Sequence, residues 1–187
     1  MEDARLHHAP QRRPNPVVAL VLGVVLVVLI VFGIDYLTIG RPAAEALNTD
    51  PRNAGFKFSV HREYRVVPGV LVIDLQKATD VAPVDLMRGL FITAATLQKR
   101  GAAFDNVVLS RHGTEVFTLS GPEFTSIGKA YEAGENPVYL IRTLPEKLRT
   151  PDGEPAFGSW TGGLLGVVGQ QMGDVSTAMN RWAGLAE

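Results

Sequence analysis

The chain has 187 residues, 46% of them hydrophobic and none of them cysteine, with 18 basic and 19 acidic side chains giving a formal net charge of −1. That length holds one domain and an accessory segment. The missing thiols exclude disulfide scaffolds, thiol catalysis, cysteine-ligated zinc and iron–sulfur clusters, and the scattered Lys and Arg lack the concentrated basic surface that nucleic acid binding needs.

Residues 1–15 form a short tail with Arg5, Arg12 and Arg13. Residues 16–40 follow as a transmembrane helix. From Val17 to Ile34 the chain carries no charge, and after Asp35 the apolar run resumes to Ile39 before Gly40-Arg41-Pro42 ends it. A helix from Val17 to Ile39 is about 34 Å long at about 1.5 Å per residue, which matches a hydrocarbon core crossed with slight tilt. More arginines precede the span than follow it closely (Arg41), so a cytoplasmic N-terminus is expected, with the main domain periplasmic or extracellular. A cleaved signal peptide is the competing reading, with Ala44-Glu45-Ala46 supplying small residues at a cleavage spacing. Asp35 is expected beside Tyr36 at the membrane interface, where its carboxylate reaches water.

Residues 41–55 are small and polar, with Pro42 and Pro51, and read as a stalk. The domain is expected over residues 56–187. Phe56, Phe58 and Val60 alternate with polar residues as in a half-buried strand. A turn at Pro68-Gly69 then leads to a β-branched strand at Val70–Ile73. Pro83 opens a helix whose apolar face carries Leu86, Leu90, Ala94 and Leu97, and Gly101 stops it. Two strand-like runs flank Arg111–Thr114, Ser120 and Glu123 form a capping box for a short helix, and Val138–Ile141 reads as another strand. Pro151-Asp152-Gly153 is a turn. The fold class is α+β: a small mixed sheet with helices packed on one face and a long C-terminal amphipathic helix.

In that last helix Leu165, Val168, Met172, Val175, Met179 and Trp182 recur at spacings of three and four, an apolar seam preceded by Gly162, Gly163, Gly166 and Gly169. The seam either closes the domain's own core or meets a partner helix, a second copy or the membrane surface. As a partner surface it would use Trp160, Gly163, Gly166, Met172, Met179 and Trp182.

The segment Leu109-Ser110-Arg111-His112-Gly113-Thr114-Glu115 resembles the Arg-His-Gly signature of the histidine phosphatase family. The resemblance implies His112 as a phosphorylated nucleophile and Arg111 as a phosphate clamp. Read from the residues alone, the same segment is a hairpin turn with glycine at a left-handed position. His7, His8 and His61 show no metal-ligand spacing, and neither a nucleophile elbow nor a phosphate-binding glycine loop is present, so no metal or cofactor is expected. The expectation is a non-enzymatic accessory or assembly protein, anchored in a membrane by residues 17–39, in a complex of the membrane or cell envelope. A module binding a small ligand or cell-wall component is the alternative, and a phosphatase-like hydrolase stands third. A protein partner is expected, a homodimer is the other assembly considered, and nucleic acid is not.

Overall fold

The computed structural model describes residues 15–161 and 164–185. The basic tail that sets the expected orientation, with His7 and His8, and Gly162 and Gly163 lie outside them.

One continuous helix runs from Pro16 to Asn48. Its first part, α1 (Pro16–Asp35), starts at Asn15, whose side chain accepts from the Val17 N–H, with Pro16 in the first turn. The side chains of Val17 to Ile30 are all exposed, and the helix is long and apolar enough to cross a membrane. Gly40-Arg41-Pro42 does not end it. Tyr36–Gly40 widen into a π turn, in which the Arg41 N–H bonds five residues back to Tyr36, and α2 (Arg41–Asn48) continues with Pro42 in its first turn. The wider turn accommodates the residue that lacks an N–H, so proline is tolerated inside a long helix.

The polar stretch 41–55 is therefore not a stalk. Pro42, Ala43 and Leu47 of α2 are buried, while Arg41, Ala44, Glu45 and Asn48 face outward. The small polar composition belongs to the outer face of a helix packed on the domain. A 3₁₀ turn (Pro51–Gly55) follows, capped by Asp50, which accepts from the Arg52 N–H. Hydrogen bonds from the Arg52 side chain and backbone hold the Asp50 carboxyl down at about 2.

The sheet has the order β1-β2-β3-β4: β1 (Phe56–Glu63), β2 (Val67–Ala78), β3 (Asn106–Arg111) and β4 (Thr114–Ser120). Outer pairs are antiparallel and β2–β3 is parallel, so β2 and β3 need a crossover, supplied by α3 (Pro83–Lys99). The β1–β2 turn lies at Tyr64 and Arg65, both at positive φ, not at Pro68-Gly69. That dipeptide falls inside β2, where the register slips between Arg62↔Leu71 and Glu63↔Val67, an irregularity that accommodates proline in a ladder.

Phe58, Leu71, Ile73, Leu109 and Phe117 face the helical layer and are buried. Within α3 Leu86, Leu90, Ala94 and Leu97 are buried as their spacing predicts, and Gly101 takes positive φ just past its end. Ser120 caps α4 (Gly121–Glu132): the Glu123 N–H donates to the Ser120 hydroxyl and that hydroxyl to the Glu123 carboxylate. The expected strand at Val138–Ile141 is instead helical, as α5 (Pro137–Thr143). Asn136 caps it and Pro137 opens it, a local signal stronger than the short apolar run, of which only Leu140 is buried.

The last helix, α6 (Leu164–Ala183), closes the core. Trp182 is fully buried, stacks on Phe58 with ring centroids 5.1 Å apart, and donates its indole N–H to the Ser110 carbonyl at 2.8 Å. Ser110 sits at the β3–β4 register shift.

Helices α3 and α4 touch at Gly128, where an added Cβ would lie 2.6 Å from the Ala94 carbonyl oxygen. Alanine favours a helix over glycine by up to about 1 kcal/mol, but here the clash dominates. Gly128→Ala is expected to destabilise the domain by about 1–3 kcal/mol, read from the unfolding midpoint; an increase would show that the helices separate freely.

Candidate functional site

The Arg-His-Gly motif forms the β3–β4 turn. His112 and Gly113 have φ of +48° and +80°, the two left-handed central positions of a type I′ hairpin. His112 is exposed. Arg111 donates to the Leu75 carbonyl at 2.9 Å, and the Gly113 N–H to the Asp74 carboxylate at 3.1 Å. Asp74, itself buried, also accepts from the Ser110 hydroxyl at 3.0 Å and from the Gln76 amide. These residues thus clamp a turn. The other described histidine, His61, belongs to β1 and is separated from β3 by β2.

The seam of α6 divides in two. Met179 and Trp182, expected on a partner surface, are fully buried in the domain's own core, because stacking on Phe58 and the bond to Ser110 satisfy both parts of the indole. Gln171 fastens the middle of the helix: Arg142 donates to its side-chain oxygen at 3.0 Å, and its amide donates to Glu146 at 2.8 Å. Gly166, Gly169, Met172 and Gly173 remain exposed on the N-terminal half, beside a half-exposed Trp160 whose indole N–H donates to Asp174 at 2.6 Å.

Among the described residues the most deeply buried carboxylate is Asp35, at 1% exposure. Its carboxylate does not reach water at an interface, as its position beside Tyr36 suggests. One oxygen accepts from the Arg62 backbone N–H at 3.0 Å and from the Arg62 guanidinium at 3.4 Å; the other accepts from the Arg65 guanidinium at 3.2 Å. The Arg62 guanidinium also donates to the Thr38 hydroxyl at 3.3 Å, and that of Arg65 lies over the Phe32 ring at 5.5 Å. A carboxylate taken out of water costs several kcal/mol unless charge and hydrogen bonds compensate; here a hairpin turn supplies both. In the sequence the visible signal was a lone acid in an apolar run and an Arg-x-x-Arg pair about 30 residues later. Nothing local joins them.

Among the described residues no group of three or more His, Asp or Glu converges for a metal. An open groove of about 640 Å³ between α4 and α5 carries Glu123, Lys129, Glu146 and Lys147, with opposite charges mixed along it. No family model, no curated protein and no solved structure matches the chain.

Asp35→Ala removes the acceptor of one buried N–H and two guanidinium groups. It is expected to lower stability by about 1–3 kcal/mol, less than for a fully buried pair because both arginines stay partly hydrated. Thermal unfolding of the full chain in mild detergent, followed by tryptophan fluorescence, measures this, and an unchanged midpoint would make the pairing dispensable. His112→Asn creates the Asn-Gly pair preferred in type I′ turns. The midpoint is expected to hold or rise; a clear fall would assign the histidine a role outside the turn.

Proposed function

We propose that the protein is a membrane-anchored accessory or assembly protein of a membrane or cell-envelope complex, with the α+β domain held close against the bilayer. The observation that carries this reading is the continuous helix. Its apolar part is exposed on all sides, and its C-terminal part is built into the domain core through Ile39, Ala43 and Leu47. A surface so apolar needs a non-aqueous surrounding. With Asp35 tied to the domain, the bilayer crossing shortens to Val17–Ile34, about 27 Å at about 1.5 Å per residue, still enough for the hydrocarbon core. The three arginines ahead of the span, Arg5, Arg12 and Arg13, support a cytoplasmic N-terminus with the domain on the opposite side.

Such an anchor is not a tether. A flexible stalk would let the domain sample a wide volume, whereas a helix locked by buried contacts sets its height and tilt. That suits a subunit that meets a neighbour in a defined orientation. The surface left for the neighbour is the outer face of the first half of α6, with Gly166, Gly169, Met172 and Gly173 beside Trp160. Glycines there permit close backbone approach of a second helix.

The test is the native mass of the full-length protein extracted in mild detergent, with every co-purifying chain identified. A reproducible assembly is expected, and Gly173→Leu is expected to dissociate it while leaving the unfolding midpoint intact, since an added Cβ there meets nothing within 4 Å. A monomer in the wild type would overturn the assembly reading. Removing α6 outright would not be informative, because Met179 and Trp182 belong to the core.

A further inference from the structure

The membrane reading leaves one element unexplained, the tip of the β1–β2 hairpin. Helix and strand run past each other in opposite directions, and three contacts fix their alignment. Gly40 lies against Val60, where an added Cβ would stand 3.0 Å from the Val60 carbonyl oxygen. Asp35 accepts from Arg62. Arg65 lies over Phe32. Along this series the helix position falls from 40 to 32 as the hairpin position rises from 60 to 65, so the hairpin descends alongside the helix. Its tip reaches past Asp35 to the level of Phe32, within the apolar run that ends at Ile34.

We propose that this tip is a second membrane contact, with Tyr64 and Val66 seated among the lipids at the headgroup boundary and the guanidinium groups of Arg62 and Arg65 bound to phospholipid phosphate. The inference rests on the anchoring reading of the helix.

Tyr64 and Val66 are 78% and 58% exposed, next to a helix whose Ile34, Tyr36 and Leu37 are themselves exposed. Tyrosine is suited to the boundary, with an apolar ring and a polar end. Two of the turn's N–H groups are satisfied within it, those of Arg65 and Val66 bonding to the Arg62 and Glu63 carbonyls at 2.8 and 3.1 Å, which lowers the cost of leaving water. Each guanidinium donates to Asp35 through one terminal nitrogen only. Two cations therefore share one carboxylate, and Glu63 forms no ion pair with either. The two arginine side chains are 26% and 29% exposed, and each keeps donors free in the fork geometry that suits a phosphate. A water-soluble protein partner would not account for a cationic and aromatic tip placed at the depth of Phe32.

The chain has no cysteine, so single cysteines can be labelled cleanly in the full-length protein. An environment-sensitive fluorophore would be placed by Tyr64→Cys at the tip, by Leu22→Cys in the span, and by Lys77→Cys near the far end of β2. The protein would sit in phospholipid nanodiscs containing a headgroup-level nitroxide lipid. Quenching at position 64 is expected to be several-fold stronger than at 77, and to fall when Arg65→Gln is added while tryptophan fluorescence confirms the fold. Equal weak quenching at 64 and 77, with strong quenching at 22 by a deep nitroxide lipid, would overturn the hairpin contact and leave the anchor standing. Weak quenching at 22 as well would overturn both. Quenching at 64 that is indifferent to Arg65→Gln would overturn the phosphate contact.

Discussion

A carboxylate buried in the wall of an apolar helix is the constraint on which the rest of this structure depends. Asp35 has no access to water, so it must find donors within the chain, and they come from a hairpin turn that follows it by about 30 residues. Meeting that demand fixes the rotation of the helix and its height along β1. Once Asp35 faces Arg62, the helix presents Ile39, Ala43 and Leu47, spaced by four, to the core, and brings Gly40 against the Val60 carbonyl. The pairing is more a device for register than a large source of stability: much of its electrostatic gain offsets the desolvation of the carboxylate. What it supplies is a defined angle between the helix and the domain.

The far end of the described chain answers the near end. Trp182 is as deeply buried as Asp35 is, and it lands on Phe58 of the same edge strand that the N-terminal helix flanks. Both ends thus close around β1, one through a charged lock and one through an indole. This arrangement explains why an apolar seam along α6 serves two purposes. Its second half completes the core, while Gly166, Gly169, Met172 and Gly173 in the first half of the helix stay exposed. A single periodic pattern can feed both an interior and a surface, and periodicity alone does not mark where one gives way to the other.

The Arg-His-Gly segment shows how far a short motif can mislead. Seven residues resemble a phosphatase signature, yet its Arg, His and Gly each have a structural duty here. His112 and Gly113 supply the two left-handed positions, Arg111 satisfies a strand carbonyl, and Asp74 holds the turn from the neighbouring strand β2. Turn geometry demands these backbone positions whatever chemistry the side chains could do elsewhere.

Much of the local architecture was legible in the residues. The apolar run from Val17, the alternation at Phe56–Val60, the Leu86–Leu97 face with its glycine stop, the capping box at Ser120 and the turn at Arg111–Thr114 each rest on interactions within a few positions, and composition and spacing report such interactions directly. Two local signals were present but outweighed: the Asn136-Pro137 start hidden by an apolar run, and the amphipathic face of α2 hidden by small polar residues. The pairing of Asp35 with Arg62 and Arg65, the π turn that carries the helix through Pro42, and the burial of Met179 and Trp182 were decided only by the tertiary structure. The pairing and the burial depend on groups far apart in the chain, and a side chain's need for a partner is written in the sequence while the identity of that partner is set by how the elements pack.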